Sequence, residues 1–132
     1  IVFGALSDRF GAGRVLATGS VGLGVTSWLF YSRMAVAPED IYMLYALCGF
    51  FVGAIGVIPG AAVQSFPAPV RFSGLSFSYN VAYAVFGGMT PVLVSLLLPL
   101  DRMAPAHYVM ALSVLGVGIG MYLMQRPRIN RV

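Results

Sequence analysis

Between Ile41 and Phe66, and again between Leu75 and Leu100, the chain carries no charged residue. A helix rises about 1.5 Å per residue, so either stretch outreaches the roughly 20 residues needed to cross about 30 Å of hydrocarbon. Two more stretches have similar reach: Val15 to Met34, charged only at Arg33, and Tyr108 to Met124 with a turn added at its start. Composition agrees, since 59% of the 132 residues are hydrophobic and 9% are charged, against about 25% charged in a soluble domain. A mean hydropathy of +0.89 also excludes a disordered chain. The expected fold is an all-α integral membrane protein with four complete transmembrane helices, 15–34, 41–66, 75–100 and 105–124. Residues 1–6 are too short to span and read as the end of a preceding helix, so a longer chain is expected around residues 1–132.

The connectors Ser7–Arg14, Ala35–Asp40, Pro67–Gly74 and Asp101–His107 are short, which makes consecutive helices antiparallel neighbours. Alternating them across the bilayer puts Arg9, Arg14, Arg71, Arg126, Arg128 and Arg131 on one side, and Arg33 and Arg102 on the other. The arginine-rich side, which holds the C-terminus, is then cytoplasmic, and Glu39, Asp40 and Asp101 lie outside. The arginines never form a run, so the positive net charge does not point to nucleic acid. The lipid bilayer is the expected partner.

Catalytic groups are nearly absent. His107 stands in a connector, Cys48 has no base near it in sequence, and no span holds Asp or Glu. An enzyme is therefore not expected, nor a metal site or a cofactor. The missing carboxylates have a second consequence, because a proton-coupled carrier needs a titratable group within the membrane. Any such group must lie outside these residues.

Four features remain. Gly49, Gly53, Gly56 and Gly60 recur every three or four residues and predict a close helix contact in the second span. Ser20 with Gly24, and Gly116 with Gly120, repeat the pattern more weakly. Pro59 and Pro91 each remove a backbone hydrogen bond, so both helices should be kinked. Such interruptions accompany helices that move or line a cavity, although proline is also simply more common in membrane helices. In the third span Ser73, Ser76, Asn80, Tyr83, Gly87 and Thr90 follow steps of three and four and share one helix side. The Asn80 amide is costly against lipid and must face either a partner helix or a wet cavity. Finally, the stretch GALSDRFGAGR joins a helix end to a tight basic turn through Gly4, Asp8, Arg9, Gly11 and Arg14. Asp8 can take charge-assisted bonds from Arg9, Arg14 or Arg71, and Gly11 and Gly13 permit the turn. The cluster reads either as a conformational latch or as a solvated turn that fixes topology.

GALSDRFGAGR resembles the cytoplasmic loop signature of the major facilitator superfamily, and FPAPVRFSGLSFSYNVAYAVFGGMTP, from Phe66 to Pro91, resembles the tenth-to-eleventh helix region of its metabolite:proton symporters. That family includes carriers of di- and tricarboxylates, shikimate, and osmoprotectants such as proline and betaine. The resemblance implies that the four spans are helices nine to twelve, within the C-terminal six-helix bundle of a twelve-helix transporter in the bacterial inner membrane. It further implies a substrate cavity bordered by Asn80 and Tyr83, with Ser76, Tyr79 and Gln64 behind them. The partners implied are a small organic acid or zwitterion, protons, and the N-terminal part of the same transporter. Ala12 and Gly13 stand where the signature has basic residues, which removes two charge contacts from the latch. The alternative from another class is a small stand-alone membrane protein that oligomerises through its glycine faces and transports nothing. A compact four-helix multidrug exporter is a further alternative, but it would need a membrane-embedded acid.

Overall fold

The computed structural model describes residues 2–34 and 36–125. Arg126, Arg128 and Arg131, on which part of the topology rests, lie outside the described residues, as do Ile1 and Ala35. Five helices follow one another: α1 (Val2–Phe10), α2 (Ala12–Arg33), α3 (Pro38–Ser65), α4 (Ala68–Leu97) and α5 (Ala104–Gln125). Among the described residues there is no strand. α3, α4 and α5 are long and apolar enough to cross a membrane. The expected count of four therefore becomes three. α2 matches α5 in length at 22 residues, but its Gly, Ser and Thr dilute its apolar content. The two threonines are satisfied within the helix: Thr18 donates to the Arg14 carbonyl at 2.9 Å and Thr26 to that of Gly22 at 2.7 Å.

The helix boundaries differ from expectation for local reasons. α1 continues to Phe10 instead of stopping at Leu6, and the connector expected over Ser7–Arg14 shrinks to Gly11. Gly11 has φ 91°, a conformation that a Cβ disfavours, and its N–H still reaches the Ser7 carbonyl at 2.9 Å. α4 starts before Leu75, because a 3-10 turn over Ala68–Val70 leads directly into α-helix at Arg71. The Arg71 Nε donates to the Phe66 carbonyl at 3.3 Å. α4 then ends at Leu97 rather than Leu100, and Asp101 organises the following turn. Its carboxylate accepts the Met103 N–H at 2.8 Å and meets His107 Nδ1 at 2.8 Å, so His107 is paired instead of alone.

Each proline sits beyond a change of helix geometry. A 3-10 stretch, Gly53–Val57, precedes the α-helical segment that holds Pro59, and a π turn, Tyr83–Gly87, precedes Pro91. Both are recognised accompaniments of an interrupted backbone ladder.

α2 is the central helix, packed against α5, α3 and α1. Its tightest partner is not its neighbour in sequence but α5, which runs antiparallel to it. A Cβ on Gly13 would lie 2.6 Å from the Gly120 carbonyl oxygen, and one on Gly120 would lie 2.7 Å from that of Gly13. Farther along, Gly116 admits the Ser20 side chain and Gly24 faces Ser113. A second face of α2 receives α3, with Ala54 against Gly19 and the Phe51 ring against Gly22. The expected glycine contact of the second span is thus misplaced. Gly49, Gly56 and Gly60 have no atom within 4 Å of a would-be Cβ, and Gly53 meets only the Phe3 ring at 3.0 Å. Gly13 is likewise not a turn residue but a point of backbone contact.

α4 stands apart. None of its residues is buried, and its contacts with α3 and α5 gather near the two connectors. Consecutive helices are therefore packed neighbours from α1 to α3, as the short loops suggested, but α4 does not pack along its length against α3 or α5.

Candidate functional site

Ser76, Tyr79, Asn80 and Tyr83 occupy positions i, i+3, i+4 and i+7 of α4, so they lie on one helix face. Asn80 and Tyr83 fall at the middle of the 30-residue helix. The Asn80 Nδ2 donates to the Ser76 carbonyl at 2.9 Å, one turn back in the same helix. Its amide thus satisfies a donor internally, and it neither cross-links two helices nor lies buried. Tyr79 and Tyr83 stack with ring centroids 6.1 Å apart and planes inclined by 24°. Tyr83 is 71% exposed. The face offers an amide, a serine and two phenols at mid-helix, groups that can hydrogen-bond a carboxylate, a hydroxyl or an amide.

Gln64 makes no hydrogen bond to this face. It lies exposed in the last turn of α3. Nor does the expected polar side run the whole length of α4. A π turn holds one residue more than an α turn, so polar positions before and after Tyr83–Gly87 fall out of phase. Thr90 accordingly points to α5, where its Oγ1 lies 2.6 Å from the Tyr108 hydroxyl, while Asn80 and Tyr83 remain exposed. The Thr90–Tyr108 link was not foreseen. Its only trace in the sequence is a Thr directly before Pro91, in step with the polar series.

The loop cluster forms no latch among the described residues. Asp8, Arg9 and Arg14 are exposed, and Asp8 makes no ion pair with Arg9, Arg14 or Arg71. The Arg9 guanidinium instead sits 5.5 Å from the centre of the Phe10 ring. Gly4 faces open space, and Gly11 keeps its turn role.

With this geometry in hand, the known proteins that resemble the chain become informative. It is 35% identical to the citrate-proton symporter of Klebsiella pneumoniae over 97% of its own length. It is 32% identical to a putative proline/betaine transporter of Staphylococcus aureus over 88% of its length. A citrate-proton symporter of Salmonella typhi matches at 30% identity over 93% of it. This chain is homologous to metabolite:proton transporters of the major facilitator type. It spans about 30% of the length of the citrate-proton symporters and 26% of the proline/betaine transporter. No family model and no solved structure matches it. Its homologues are transporters rather than enzymes, and its apolar helices make it a membrane protein. The mid-helix polar face of α4 is the candidate site, whereas the α2–α5 seam is structural.

Proposed function

We propose that these residues form helices nine to twelve of a twelve-helix carrier that moves a small organic acid or a zwitterionic osmolyte together with protons. The carrier works by alternating access, two bundles rocking about a site near the midplane of the bacterial inner membrane, with its C-terminus in the cytoplasm. The observation that carries this reading is the homology over nearly the whole chain to a citrate-proton symporter and a proline/betaine transporter. Those relatives are more than three times as long as the matched stretch, which fits a role for this chain as one part of such a carrier. Asn80 and Tyr83 contact substrate, with Ser76 and Tyr79 beside them, and Gln64 lies toward the cytoplasmic mouth. No Asp, Glu or Lys lies within α4 or α5, so the protonated carboxyl comes from elsewhere in the carrier. The 132 residues alone transport nothing.

The test is uptake by the complete carrier of radiolabelled citrate, proline and betaine, under an imposed proton gradient and with an uncoupler control. Asn80→Ala and Tyr83→Phe are expected to raise the half-saturation concentration or slow uptake about tenfold, the loss of one good hydrogen bond to a charged group. If both variants keep wild-type affinity and rate, the assignment of this face to substrate fails. Uptake that ignores the proton gradient would defeat the symport reading.

A further inference from the structure

The broken stretch of α4 is held by a two-step hydrogen-bond chain that reaches it from α5. Just beyond the π turn Pro91 has no N–H, so the backbone ladder there lacks one donor. The Thr90 hydroxyl donates to the Phe86 carbonyl within the π turn. A hydroxyl has a single proton, so Thr90 must accept from its second partner, and the Tyr108 hydroxyl is therefore the donor across the 2.6 Å contact. The chain runs from Tyr108 on α5, through Thr90, to the carbonyl of the π turn. Around it the restraints are few. Would-be Cβ atoms on Gly87 and Gly88 meet nothing nearer than the Tyr83 ring at 3.9 Å, and no residue of α4 is buried.

We propose that Tyr108 and Thr90 form a latch that fixes the π turn Tyr83–Gly87 as a hinge, and so act as positioning residues for the Asn80 and Tyr83 face above it. Released, the turn passes between π and α registers, which rotates the upstream half of α4 by about one residue position, on the order of 100°. Engaged, it holds Asn80 and Tyr83 in one azimuth. The use of this rotation in transport rests on the carrier reading, whereas the hinge itself does not.

The experiment reads motion without uptake, so the hinge and the carrier reading can fail separately. The full chain in lipid nanodiscs, with Cys48→Ser, carries spin labels at Phe77→Cys on α4 and Val114→Cys on α5. Label distances are recorded together with backbone hydrogen exchange. Tyr108→Phe, which removes one oxygen, and Thr90→Val, which keeps the shape, are both expected to broaden the distance distribution. Both should also raise exchange at residues 84–90 roughly fivefold, while α2 and the rest of α5 stay unchanged. Thr90→Ser keeps the relay and should behave as wild type. The latch is overturned if Tyr108→Phe leaves both readouts unchanged. It is equally overturned if exchange in α2 rises as much as in the π turn, since the hydroxyl would then only add to general stability.

Discussion

α2 and α4 are both studded with small and polar residues, and they place them in opposite ways. α2 carries its small and polar residues inward. Gly13, Gly19 and Gly24 are buried against neighbouring backbone and side chains, and Thr26 and Ser27 are buried with them. α4 leaves Asn80 and Tyr83 exposed, with Ser76 half-buried on the same face, and it buries no residue. Inward small residues make a rigid seam, because helices associate in lipid through close backbone approach. Outward polar residues at mid-helix make a surface that calls for another polar partner, whether protein, water or cargo. The difference separates a packed seam from an open polar face.

The largest effect should follow from breaking the seam. A leucine in place of Gly13 or Gly120 would drive its side chain into a backbone carbonyl that cannot yield unless α2 and α5 part. Gly13→Leu is expected to cost about 2–3 kcal/mol in denaturant titrations of the chain in mixed micelles. Gly11→Ala comes next, at about 1–2 kcal/mol, since φ 91° strains any residue with a Cβ although the surrounding space is open. Asp101→Ala should cost about 1 kcal/mol by removing the cap on the Met103 N–H, with its effect on hydrogen exchange confined to the α4–α5 turn. The smallest effects lie on the open faces. Gly49→Ala, Gly56→Ala and Gly60→Ala should be neutral, or stabilising by up to about 1 kcal/mol, because nothing meets the new methyl and alanine favours helix. Equal losses at Gly13 and Gly56 would erase the distinction between seam and surface.

Much of this arrangement was legible in the amino-acid order. The long uncharged stretches fix the helices, because backbone groups in hydrocarbon have no other way to be satisfied. Pro59 and Pro91 mark where the ladder changes, and the steps of three and four from Ser76 to Tyr83 place those side chains together. Helix pairing was not legible. A glycine stripe announces that a close approach is possible but not which helix makes it, so the regular series in α3 outranked the less regular one on α2 that forms the seam. The π turn was hidden as well. It adds one residue to a turn without any residue type that announces it, and it moves Thr90 from the polar line of Asn80 to Tyr108. The loop cluster shows a third limit, since opposite charges close in sequence need not meet when both point into solvent.

The central claim is that the face of α4 bearing Ser76, Asn80 and Tyr83 borders a wet path in the complete carrier. Single cysteines at these positions, and at Val81 and Val92 as controls, can be probed in native membranes with a charged thiol reagent in a Cys48→Ser background. The account predicts rapid labelling at positions 76, 80 and 83, slowed by the transported substrate, and none at 81 and 92. Labelling absent from the polar positions, or equal at all five, would contradict it.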